Sequence, residues 1–207
     1  MRMKRLSIDR IRELFTGPIF AMYLLKRTSL IRERGRWRKE TNAEHSWSVG
    51  VLACSLAPRI DPELDIGLVA QFASVHDLVE IFAGDTEPYG HPHHLAGKNE
   101  REARALERLA QEYGDFEWLV DTIRRYEAKD TPEALYVCAV DKLTPLMARI
   151  EEKGHYYKTH GVSKAFFEER NEPQRRKAHS HEGVAEYYEA LRREFDAHPE
   201  YFASASR

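Results

Sequence analysis

The chain has 207 residues, 42% of them apolar and 32% charged, which suits one sizeable buried core under a well-solvated exterior. Its 34 acidic and 32 basic side chains leave a formal net charge of -2, so there is no general electrostatic pull toward nucleic-acid polymers or acidic membranes. Cys54 and Cys138 lie in apolar runs and read as buried and reduced, which excludes a disulfide framework. The basic start MRMKRLSIDRIREL has neither the apolar stretch nor the cleavage signal of a secretory leader, and no uninterrupted apolar run is long enough to span a bilayer. A cytoplasmic protein is expected.

Residues 8–15 read as a short amphipathic helix with Ile8, Ile11, Leu14 and Phe15 inward. Gly17 and Pro18 punctuate it, and Pro18 opens a second helix carrying Ile19, Met22, Tyr23 and Leu25. The basic RTSLIRERGRWRKE then reads as solvated surface, with arginine contacts to a phosphate as the functional alternative. Thr41 and Glu44 have the spacing of a capping box. From there AEHSWSVGVLACSLA runs as a helix toward Pro58, with Trp47, Val51, Leu52 and Leu56 assigned to the core.

After a turn at Asp61 and Pro62, the nearly continuous apolar run through Val75 leads into His76 and Asp77, a helix expected deep in the domain. TEPYGHPHHLAGKN predicts an irregular loop. His91, His93 and His94 are read there as exposed or closing over substrate rather than as a second metal site. Further helices are expected over residues 100–113 and 116–127, and Thr131 with Pro132 starts another. That segment, EALYVCAVDKLTPLMARIEE, is apolar except at Asp141 and Lys142, and Pro145 should bend or end it. Asp141 then either points into a cavity or pairs with an arginine. Residues 154–161 read as a loop with His155, Tyr156, Tyr157, Lys158 and His160 exposed. The last helix carries a stripe of Ala185, Tyr188, Leu191 and Phe195. No repeat, heptad or alternating strand segment emerges, so the expected fold class is all-α, one domain over residues 1–207 with its helical core at about 8–195.

His45, His76, Asp77, Glu80 and Asp85 lie in segments that otherwise read as core helices. Imidazoles and carboxylates placed there need hydrogen bonds, charge partners or a metal. His45, His76, Asp77 and the distant Asp141 offer two nitrogens and two anionic oxygens, a set compatible with one divalent ion of cobalt, manganese, iron, zinc or magnesium. His76 and Asp77 diverge by roughly 100° on a helix, so sharing an ion requires a helix end or a bend. Glu80 could hold or deprotonate a water, and Asp85 could orient that glutamate, bind a sugar hydroxyl or protonate a leaving group. A salt bridge or helix cap is the structural alternative for both.

EHSW with His45, HDLVEIFAGD with His76 and Asp77, and AVDKL with Asp141 together resemble the HD-domain metal-dependent phosphohydrolase superfamily, in particular its small 5'-deoxyribonucleotidase branch, over most of residues 10–195. The resemblance implies an HD-type helical bundle, a homodimer, and His45, His76, Asp77 and Asp141 as metal ligands. It places Glu80 and Asp85 in the catalytic and nucleotide-binding neighbourhood. The implied reaction is hydrolysis of a nucleoside 5'-monophosphate to nucleoside and inorganic phosphate, with a deoxyribonucleotide preference left open. Relatives in that branch carry an Arg-Trp pair that contacts nucleotide; Arg36 and Trp37 match it superficially, and Arg32 or Arg34 are alternative occupants of that pocket. Two other readings stand beside this one. A deoxynucleoside triphosphate triphosphohydrolase would need a longer basic cradle, and a nucleotide-binding regulatory protein would have little or no catalysis.

Overall fold

The computed structural model describes residues 5–84, 89 and 97–204. Helices α1 (Ile8–Leu14) and α2 (Phe20–Leu24) are joined by a π-helical turn, Phe15–Ile19, so the chain passes Pro18 without stopping. A wider turn tolerates the proline ring and its missing N–H, which a regular α-helix does not. The hairpin of β1 (Lys26–Glu33) and β2 (Arg36–Thr41) follows. The rest is helical: α3 (Asn42–Ile60), α4 (Ile66–Val75), α5 (Glu80–Ala83), α6 (Lys98–Tyr113), α7 (Glu117–Ala128), α8 (Pro132–Asp141), α9 (Leu143–Glu151), α10 (His155–Thr159), α11 (Lys164–Ala178) and α12 (Glu182–Ala197). The architecture is the helical bundle expected, and the hairpin is its one departure among the described residues.

That hairpin occupies the stretch read as basic surface. Its strands show no apolar alternation because only the base is enclosed: Ser29, Glu40 and Thr41 are buried, while residues 32–37 face solvent. Arg34 and Gly35 take φ of 47° and 82°, the two-residue turn whose twist matches antiparallel strands. Arg-Gly between two charged runs was therefore the local signal for a hairpin.

The main core joins α3, α4, α8, α11 and α12 through Val49, Phe72, Tyr136, Phe167, Tyr188 and Phe195. Leu191 packs beside them, as the stripe on the last helix predicts. Residues expected as an exposed loop form α10 instead, and Tyr156 and Tyr157 are buried. The Tyr157 ring stacks on Phe202 at 5.3 Å, an aromatic partner far along the chain that local sequence does not reveal. A second core of Met22, Leu78, Val79, Leu109 and Ile123 ties α2, α6 and α7 to the end of α4.

Two assignments to the interior are corrected. Leu14 packs on the second core, but Ile8, Ile11 and Phe15 face outward, as do Trp47 and Val51 of α3; Trp47 is 71% exposed. The helix pair α1–α2 lies along the outside of the bundle, so its apolar residues and those of α3 beside it form a surface belt. α3 also runs past Pro58 to Ile60. Finally, Ile66–Ala83 has the length and mean apolar composition of a bilayer span, although Gln71, His76, Asp77 and Glu80 interrupt its apolar residues. It is interrupted by the turn at residues 76–79, and half of it is buried inside the protein, as befits a core segment.

Candidate metal centre

Three local irregularities place the site. At the first, Thr41 caps α3: its hydroxyl accepts the Glu44 N–H at 3.1 Å, while the Glu44 carboxylate accepts the Thr41 N–H at 2.9 Å. Such a cap contributes about 1 kcal/mol and fixes where the helix begins. Asn42 and His45, three residues apart, consequently share the inward face, and both are buried. At the second, α4 ends at Val75, and a tight turn closes with Leu78 N–H on the Val75 carbonyl (2.9 Å) and Glu80 N–H on the Asp77 carbonyl (3.0 Å). This bend lets His76 and Asp77 face one point. At the third, Pro145 cannot donate to the Asp141 carbonyl, which accepts the Thr144 hydroxyl at 3.0 Å. The helical run breaks at Lys142, directly after Asp141.

The four expected groups meet at this junction. His45 Nε2 lies 2.9 Å from Asp141 Oδ1 and 3.5 Å from Asp77 Oδ2, and His76 Nε2 lies 3.4 Å from that same Asp77 oxygen. Donor atoms of His45, His76 and Asp141 all fall within 4.8 Å of one another, and all three residues are buried. The His76 tautomer is set by its neighbour: Nδ1 is 2.9 Å from the Ala73 carbonyl, which only accepts, so Nδ1 carries the proton and the neutral ring presents a lone pair at Nε2. That Nε2 is buried with no hydrogen-bond partner. A buried acceptor left open among two carboxylates and a second imidazole fits a cation. The His/His/Asp set is consistent with one divalent ion, and these ligand types do not select among manganese, cobalt, iron, zinc and magnesium.

Protonation states agree with this. Burial, then the nearby Arg27 charge, pushes the His45 pKa down to about 4, leaving a neutral ring at pH 7. Burial alone would raise Asp77, but the His76 ring, when protonated, and the Arg27 guanidinium outweigh it and hold the carboxyl at about 2. Burial likewise opposes ionisation of Asp141; the Lys142 ammonium and the His45 hydrogen bond overcome it and keep the group well below the usual carboxylate range. Glu40, whose Oε2 is 3.8 Å from His45 Nδ1, is raised by burial to about 7.

Glu80 stands beside the cluster, buried, accepting from Asn42 Nδ2 at 2.8 Å with Arg27 Nη1 at 3.6 Å. Arg27 also donates to Asp77 Oδ2 at 2.5 Å. A cavity of about 180 Å³ opens against His76, Asp77, Glu80 and Asp141. Its other walls include Arg27, Lys98, Lys129, Lys142 and Lys177. Arg32, Arg34, Arg36 and Trp37 are not brought here; they sit at the outer end of the hairpin, where the Arg32 guanidinium lies 5.9 Å from the Trp37 ring centroid. Asp85, His91, His93 and His94 lie outside the described residues.

Arg27, Glu40 and Asn42 are the site residues that sequence reading missed. Arg27 belongs to the basic stretch already suspected of reaching phosphate, and the Arg-Trp motif lies at the other end of that stretch. For Asn42, the signal was its three-residue spacing from His45 inside a capped first turn.

The chain matches the HD domain family over residues 24–183 and belongs to that family. It is also similar to a solved structure, the crystal structure at 1.37 Å resolution of a predicted metal-dependent phosphohydrolase from Magnetospirillum magnetotacticum MS-1. The two share 29% sequence identity with a TM-score of 0.73, over 97% of this chain and 100% of that one. A search of curated proteins gives no match.

Asp141→Asn keeps the side chain's volume and removes its charge. By calorimetric titration of manganese into chelator-treated protein, this variant should lose more affinity than the ~10- to 100-fold typical of losing an outer partner of a ligand. Its far-ultraviolet circular dichroism should stay that of the wild type. Unchanged affinity would remove Asp141 from the centre.

Proposed function

We propose that this HD domain protein is a metal-dependent phosphohydrolase that cleaves nucleoside 5'-monophosphates to nucleoside and inorganic phosphate. The observation that carries the reading is the buried His45, His76, Asp77 and Asp141 cluster at the wall of a cavity that also presents Glu80 and several cationic side chains. A divalent ion held by these four residues supplies Lewis acidity toward a phosphoryl group and makes water easier to deprotonate.

The chain's own groups do the rest. Glu80, fixed by Asn42 and close to Arg27, is in place to take the proton from the attacking water. The water oxygen bonds to phosphorus, the bond from phosphorus to the sugar's 5' oxygen breaks, and that oxygen leaves with a proton. Asp85, five residues beyond Glu80 in sequence, is assigned to proton delivery or to the sugar. Arg27 faces the cavity where negative charge builds on the phosphoryl oxygens, and stabilising that charge is what lowers the barrier.

A metal-reconstituted panel of nucleoside monophosphates and triphosphates, with every product identified, tests the assignment. Nucleoside plus phosphate from monophosphates is expected; inorganic triphosphate released from triphosphates would favour the triphosphohydrolase reading. Glu80→Gln should retain the ion and lose roughly 10²- to 10⁴-fold in turnover. Normal turnover in that variant would reject its role as the base.

We further propose a homodimer built on the apolar belt. Tyr23, Trp47, Val51 and Trp118 line a groove of about 1050 Å³ there, a continuous apolar surface of a kind that monomers seldom leave open. Light scattering should give twice the chain mass for the wild type and the single-chain mass for Trp47→Glu. A monomeric wild type would contradict this arrangement.

A further inference from the structure

Four lysines line the same cavity as the metal cluster. Lys98 from α6, Lys129 after α7, Lys142 between α8 and α9, and Lys177 from α11 all line it. Four separate elements thus converge on a space of about 180 Å³.

Carboxylates answer three of the four. Lys98 Nζ is 3.3 Å from Glu102, Lys129 Nζ is 4.0 Å from Glu127, and Lys142 pairs with Asp141. Lys177 has no carboxylate within ion-pair distance among the described residues, although it faces the same cavity. The charges of Lys142 and Lys98 lower its pKa, as expected of an ammonium held near others of its kind. Among the described residues Lys177 is thus the lysine of this cavity that no carboxylate answers, and a dianion beside it would do so.

Asp141 fixes where Lys142 stands. Its Oδ1 faces His45 at 2.9 Å, while its Oδ2 faces Lys142. Lys142 therefore stands one carboxylate away from the metal cluster, whereas Lys98 Nζ lies 4.0 Å from Glu80 Oε1 and belongs with the base. An anion held by Lys129, Lys142 and Lys177 would neighbour the phosphate being cleaved.

We propose that Lys129, Lys142 and Lys177 form a second anion subsite, which takes a phosphoryl group of the substrate beyond the one that is cleaved. This rests on the metal-dependent phosphohydrolase reading and goes beyond the 5'-monophosphate: a nucleotide with two phosphoryl groups, either joined or on different sugar positions, is preferred over it.

The test compares one nucleoside as its 5'-monophosphate, 5'-diphosphate and 3',5'-bisphosphate, using manganese-loaded wild type, Lys177→Gln and Lys129→Gln. Lys177 is at the exposed rim of the cavity, so its replacement threatens the fold little. At least one doubly phosphorylated substrate should have a KM tenfold or more below that of the monophosphate, and Lys177→Gln should reduce that advantage to less than threefold. The substrate that gains shows where the second group is carried. Equal KM values in the wild type, or an advantage that survives in both variants, would overturn the subsite. If none of the three is hydrolysed, the phosphohydrolase reading fails by itself. Calorimetric binding of the same nucleotides then decides: tenfold tighter bisphosphate or diphosphate binding lost in Lys177→Gln upholds the subsite, and equal binding refutes it.

Discussion

Two carboxylates, Asp77 and Asp141, are held ionised in the interior beside two imidazoles, and the surrounding structure is arranged to permit it. Buried anions are costly unless positive charge and hydrogen bonds meet them. Arg27 reaches in from β1 to hold Asp77, and Lys142 follows Asp141 at the helix break. The open His76 Nε2 faces the same point as both carboxylates, where a cation completes the balance. The base of the hairpin, the turn after α4 and the break at Pro145 all serve this one junction, and none of them is a regular stretch of helix.

The same junction connects binding to chemistry. Glu80 and Asp77 share Arg27, so the ion site and the proposed base are positioned by one side chain. Glu40, at the base of the hairpin, lies 3.8 Å from the far nitrogen of His45, and burial raises its pKa to about 7. Of the cavity lysines, Lys142 pairs with Asp141, while Lys98 stands 4.0 Å from Glu80.

Much of this was legible in the sequence, for a physical reason. A polar group in an apolar helical run is conspicuous, and His45, His76, Asp77 and Asp141 each stood in such a run; the capping box at Thr41 and the expected bend at Pro145 gave the local geometry as well. The hairpin was hidden because its buried portion is only its base, so the charged tip hid the strand pattern. The apolar stripe of Ile8, Ile11 and Phe15 carried a different ambiguity, since periodicity shows that a face is apolar without saying whether the covering partner is the same chain. Tyr157 was misplaced because its partner Phe202 lies far along the chain, and Tyr156 because the Arg149 guanidinium, 3.7 Å from its ring centroid, covers it from another helix. Arg27 illustrates the limit for site residues: its charge was visible, but its reach to Asp77 depends on where the strand begins.

The central claim is that a single divalent ion sits where these side chains converge. Anomalous diffraction from crystals of the protein grown with manganese tests it most directly. The account predicts one strong peak per chain bonded to the His45 and His76 nitrogens and to the Asp77 and Asp141 carboxylates. A peak at the His91, His93 and His94 segment with none at this junction would contradict it.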